Sequence, residues 1–154
     1  MRFRLFVLAA IVALAVPSVA VALTSRDRPP GHQQEATIAG TWDVKVSPDG
    51  DAPLTAVLTL TRSGSVIETE SDQPGTGQGS WKRTGPDTFA LAFKTYVFTA
   101  TGDPGGAVLV RVQVKLADGT LSGPFKFDVS DADGNVVQSG SGTAEATPFV
   151  IPDL

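Results

Sequence analysis

The stretch AVLVRVQVKLADGTLSGPFKFDVS, residues 107–130, decides the fold. Val108, Val110, Val112 and Val114 alternate with Leu109, Arg111, Gln113 and Lys115. Phe125, Phe127 and Val129 alternate with Lys126 and Asp128. A repeat of two, not 3.6, places one set of side chains on each face of an extended strand. Between the runs stands Ala117-Asp118-Gly119, where Gly reaches positive φ easily and Asp bonds its own backbone. The whole reads as an antiparallel hairpin with one apolar face.

The same pattern extends outward in both directions. Trp42, Val44 and Val46 form one alternating set, Ala56, Leu58 and Leu60 a second, and Phe89, Leu91 and Phe93 a third. Turn signals separate them: Pro48-Asp49-Gly50, Arg62-Ser63-Gly64, Thr84-Gly85-Pro86-Asp87, Gly102-Asp103-Pro104-Gly105-Gly106 and Asp131-Ala132-Asp133-Gly134-Asn135. Eight strands are predicted, over residues 41–47, 54–61, 65–71, 79–84, 88–99, 107–116, 120–130 and 135–146. Short turns force neighbours in sequence to pair. An open sheet of this kind leaves two exposed edges, and closure removes them. The expected fold is an all-β, eight-stranded antiparallel up-and-down barrel, with a β-sandwich as the alternative. A sandwich calls for longer crossovers, and Asp72–Gly79 is the one candidate.

The N-terminus reads as an export signal. Met1-Arg2-Phe3-Arg4 is basic, Leu5–Val16 is apolar, and Ala20-Val21-Ala22 matches a cleavage site. The apolar run is ended by Pro17 and is too short to span a membrane. The expected organisation is a signal peptide over 1–22, a flexible segment over 23–39, and one barrel domain with a C-terminal tail over 40–154. The mature protein would be secreted, outside the cell or in its envelope, with no membrane span. A secreted chain without cysteine leans towards a bacterial source.

Composition removes several chemistries. No cysteine means no disulfide framework, thiol nucleophile or thiolate metal site. The single His32 lies in the polar lead-in and reads as a solvated linker residue, so a Ser–His–Asp triad or multi-histidine metal site lacks parts. Without Arg2 and Arg4, ten basic residues face 16 acidic ones, a net charge of −6. That disfavours nucleic acid and anionic membrane surfaces as partners. No cofactor or metal is expected. Asp131, Asp133 and Asn135 are spaced like the start of a calcium loop, but the twelfth position is Gly142 where that loop needs Glu. A hairpin turn explains them.

Gly40-Thr41-Trp42 resembles the G-x-W signature that opens the barrel in lipocalins and other calycins. The resemblance implies that Trp42 packs across the bottom of a barrel as a plug. The block Gly79–Phe89 is similar to one in small secreted bacterial proteins and implies no activity. Likeness to allene-oxide-cyclase and dirigent barrels is one of architecture alone.

An eight-stranded barrel is just wide enough inside for side chains or one small ligand. The expected apolar lining is Leu58, Leu60, Phe89, Leu91, Phe93, Val110, Val112, Phe125 and Phe127. Gly123, Gly140 and Gly142 remove volume, either to open a cavity or at strand bends. The candidate ligand-binding residues are Phe89, Phe93, Phe125 and Phe127, with Glu68 and Arg111 as orienting polar groups. Two orientations are open for Glu68, Glu70 and Asp72, which recur every second residue. They line the cavity, with one carboxyl made harder to ionise or a cation bound, or they form a solvated outer face with Ile67 and Thr69 inside. The outer face is the expectation. Arg111 faces water if the valines of its strand face in, and is a buried cation if they do not. Tyr96 shares parity with Lys94 and is expected outside.

The tail, with Phe149, Val150 and Ile151, is expected across a barrel mouth or docked on a partner. Three functions fit: a binder of a small apolar molecule, a secreted interaction or inhibitor module acting through its loops, and a barrel cyclase or isomerase. The binder leads.

Overall fold

The structure is a computed structural model that describes residues 37–153. The signal-peptide boundaries, His32 and most of the 23–39 segment lie outside the described residues. Eight strands run β1 Gly40–Pro48, β2 Leu54–Leu60, β3 Ser65–Glu70, β4 Gly77–Arg83, β5 Thr88–Phe98, β6 Pro104–Ala117, β7 Thr120–Ser130 and β8 Val136–Pro148. They pair in sequence order, all antiparallel, and β1 closes on β8. The fold is therefore the up-and-down barrel and not the sandwich. Among the described residues no helix is long and apolar enough to cross a membrane.

Turn chemistry sets the register. Asp118 and Gly119 both take positive φ, the mirror-image turn whose twist suits a two-residue hairpin. Arg62-Ser63-Gly64 closes differently. Gly64 N–H donates to Thr61 O, Thr61 N–H donates to Ser65 O, and Gly64 sits at φ +91°. This three-residue loop ends in a left-handed bulge that glycine fits without strain. The β5–β6 and β7–β8 connections close in the same way, at Gly102 and Gly134. In the last of these the Asp131 carboxylate accepts the backbone N–H groups of Asp133 and Asn135. Those bonds hold its pKa below the ordinary carboxylate value, the Asn135 backbone bond first. The hairpin explanation of the calcium-like spacing is the one observed.

β6 starts three residues earlier than expected, inside the glycine-rich stretch. A register shift between Val97 and Phe98 lets Pro104 pair with Phe98 and Gly106 with Val97. The glycines read as turn punctuation are in part a bulge that extends the strand.

The most deeply buried side chains sit at one end of the barrel. Ile38, Trp42, Leu60, Val66, Phe89 and Leu121 pack there, out of water. Ile38, from the segment before β1, is folded under the barrel, and its carbonyl accepts Trp42 Nε1–H at 3.0 Å. Trp81 donates to Thr61 O at 2.8 Å and meets Phe89 edge-on at 5.9 Å. The Arg83 guanidinium lies 5.1 Å from the same Phe89 ring. This end is sealed by side chains with their polar atoms bonded.

Beyond Pro148 the tail keeps one ladder bond, Phe149 N–H to Thr41 O at 2.9 Å, and then leaves the sheet. Thr41 lies at the sealed end, so the tail does not cover the opposite mouth. Phe149, Val150 and Ile151 are exposed.

Candidate functional site

Above the sealed end the barrel holds a cavity of about 490 Å³. Its wall is mostly aliphatic and aromatic, from Val44 and Val46 through Leu58, Leu91 and Phe93 to Val110, Val112, Phe125 and Phe127. It reaches the end formed by the β1–β2 and β3–β4 loops, where Asp51, Ala52, Asp72 and Gln73 line it. The size falls within the roughly 300–1,000 Å³ of small-molecule sites.

Phe93, Phe125 and Phe127 of the expected set line the cavity. Phe89 does not. It lies two residues before Leu91 in β5, towards the sealed end, beside Trp81 and Arg83. Leu60 is likewise core, not lining. Arg111 also lies elsewhere. The valines of β6 face in, so Arg111 faces out, half exposed, and pairs with Asp128 on the neighbouring strand. Ser139 Oγ–H also donates to Asp128, at 2.6 Å. The Ser139 bond first, and then Arg111, keep the Asp128 carboxyl below its ordinary pKa. Exposed pairs of this kind add little to stability. Arg111→Ala should therefore leave the midpoint of chemical denaturation close to that of wild type and leave cavity binding unchanged. Tyr96 is exposed, as its parity implied.

The inverted strand is β3. Val66 and Glu68 are buried, with 1% and 3% of their surface exposed, while Ile67 is 47% exposed. The cause is the Arg62-Ser63-Gly64 loop. It pairs Leu60 with Val66, Leu58 with Glu68 and Ala56 with Glu70. Residues directly opposite in a ladder share a face. Since Leu60, Leu58 and Ala56 must face in, so must the two carboxyls. Asp72, just beyond the strand, follows them to the cavity rim. The expected solvated outer face is therefore corrected: Glu68, Glu70 and Asp72 line the cavity. The length of the glycine-ended loop was the signal that could have shown it.

Gly77 makes room for the buried carboxyl. A Cβ there would stand 2.7 Å from Glu68 Oε2 and 2.8 Å from both the Phe93 ring and Thr95 Oγ1. Glu68 Oε1 is buried with no hydrogen-bond partner, alone in this among the side-chain atoms of the described residues. Burial first, then the charges of Glu70 and Asp72, push the Glu68 pKa up to about 8. Glu70 is raised by the same causes, burial first and then Asp72. At neutral pH Glu68 is thus mainly a neutral acid that can donate a hydrogen bond.

Gly140 and Gly142 act through the phenylalanines opposite them. Phe127 pairs with Gly140 and Phe125 with Gly142. The rings lie over those glycines, within 2.4 and 2.7 Å of where each Cβ would be. The two rings are near-stacked on each other, with centroids 6.3 Å apart. Gly123 has a different reason, because its Cβ would meet Gln113 O at 1.9 Å. It marks a close backbone approach.

No group of three or more Asp, Glu, His or Cys among the described residues is placed to share a metal ion. Inward carboxyls two residues apart on a strand are separated by roughly 7 Å along it. Compared with family models, with curated proteins and with solved structures, the chain has no match.

Proposed function

We propose that this protein binds one small, mainly apolar molecule inside its barrel, and that it does so after export and cleavage near Ala22. The observation that carries the reading is the cavity of about 490 Å³ ending on a buried, unpartnered carboxyl oxygen. An ordinary core is close-packed and satisfies its polar atoms. This interior does neither, while the sealed end of the same barrel does both. The lipocalin-like interpretation draws support from Trp42, which packs at the barrel bottom as the calycin resemblance implies. A module acting only through its loops goes with a filled interior, which the cavity argues against. A cyclase or isomerase would keep its acid, Glu68, but Arg111 is not in the cavity to serve as its donor.

The test uses a neutral fluorescent probe, N-phenyl-1-naphthylamine. Wild type should bind it at one per chain. Ala144→Phe and Val110→Trp put bulk into the lumen from two different walls. Each should weaken probe binding at least tenfold while the far-ultraviolet spectrum stays that of a folded β protein. Probe binding that survives both plugs, or no binding to wild type, overturns the reading.

A further inference from the structure

We infer that the cavity selects an organic cation, an apolar body carrying a protonated amine, with the amine seated at Glu68. The inference rests on the cavity-binding reading and names its ligand class.

The first observation is the sign of the charges. Asp51, Glu68, Glu70 and Asp72 line the cavity, and among the described residues no Lys, Arg or His does. Each element near Glu68 repeats this. β2 offers Leu58 and Ala56, β4 offers Gly77, β5 offers Phe93 and Thr95, and β3 itself adds Glu70. The loops add Asp51 and Asp72. The lysines of β1, β4 and β5, Lys45, Lys82 and Lys94, are all exposed. Among the described residues the charges that line the barrel are all of one sign, and the field inside is negative.

The second observation is independent of the first. Glu68 Oε1 is buried and without a partner, at the inner end of the carboxyl series. A buried polar atom in this state calls for a partner from outside the chain. A neutral hydrogen-bond acceptor would use Glu68 but leave Glu70 and Asp72 without a role. An anion would be repelled by this acidic wall. An inorganic ion would need ligands that converge, and these are strung along the wall. An ammonium group suits the arrangement. It offers three donors, it is drawn past Asp72 and Glu70, and its apolar body meets Phe93, Phe125 and Phe127, whose ring faces also attract cations.

Three fluorescent probes of one size make the test: 2-naphthylmethylamine, 2-naphthylmethanol and 2-naphthoate. At pH 8 the amine should bind the full chain at least tenfold more tightly than the alcohol, and the naphthoate least. The preference for the amine should shrink as the pH falls from 8 to 6, because Glu68 then binds a proton that the amine must displace. Glu68→Gln should reduce the preference to less than threefold while keeping alcohol binding. The rim pair Glu70→Gln with Asp72→Asn, which leaves Glu68 in place, should lower it partly. If the alcohol binds as tightly as the amine, or Glu68→Gln keeps the full preference, the cation inference fails and the cavity reading stands. If none of the three binds, the cavity reading fails with it.

Discussion

Glu68→Gln should make the protein more stable above neutral pH while leaving it nearly unchanged at pH 4.5. The folded-state pKa of Glu68 is raised to about 8 from an ordinary 4.5, mainly by burial. Between those values the folded chain holds a proton that the unfolded chain has released. The stability associated with the neutral carboxyl is fully present below 4.5 and is lost as pH rises through 8. Each pH unit in that window removes up to about 1.4 kcal/mol, so the loss is on the order of 3 kcal/mol by pH 7. Glu70 adds in the same direction. Asp128 and Asp131 act oppositely, since their pKa values are lowered and their contribution is lost only as pH falls below the ordinary aspartate range. Stability should peak near pH 4–5. Urea denaturation of both proteins at pH 4.5, 7 and 9 checks this. Parallel pH profiles would mean that Glu68 ionises as freely in the fold as outside it. Burying a carboxyl at such a cost is typical of sites and not of cores.

Trp42→Ala should have the largest effect on stability. The indole is 7% exposed and packs with Ile38, Leu60, Val66 and Leu121 at the sealed end. Removing a buried tryptophan costs roughly 3–5 kcal/mol. The Ile38 carbonyl also loses its donor. For a domain of this size that lowers Tm by about 12–30 °C. Trp42→Phe keeps most of the packing and loses the hydrogen bond, so it should cost about 1–2 kcal/mol. Calorimetry of the two variants separates the contributions. A Trp42→Ala protein melting within about 3 °C of wild type would show that the plug does not hold the barrel shut. Cavity binding should persist in both variants below their melting points, because the lining around Glu68 belongs to other residues.

Much of this molecule is local and therefore legible in the chain. Alternation of valine and phenylalanine with charged residues is a property of adjacent positions, so all eight strands are readable. Asp118-Gly119 specifies its turn without help from distant residues. Short turns leave few ways to arrange the strands, and the cost of two open edges favours closure. The inward aromatics Phe93, Phe125 and Phe127 follow from parity alone.

The facing of β3 needed the ladder. Val66, Glu68 and Glu70 alternate with Ile67 and Thr69, and hydrophobicity alone favours the wrong face. Only pairing with Leu60, Leu58 and Ala56 turns the carboxyls inward. Depth along the barrel was equally hidden. Phe89 and Phe93 share a face of one strand and one buried cluster, yet only Phe93 also lines the cavity. The strand repeat records which side a residue faces. It carries no measure of how far along the axis the interior is filled, because that depends on Ile38 and Trp42 folding under one end and on Gly140 and Gly142 letting two rings lie over them near the other. Such contacts join residues far apart in the chain, and the closed barrel brings them together.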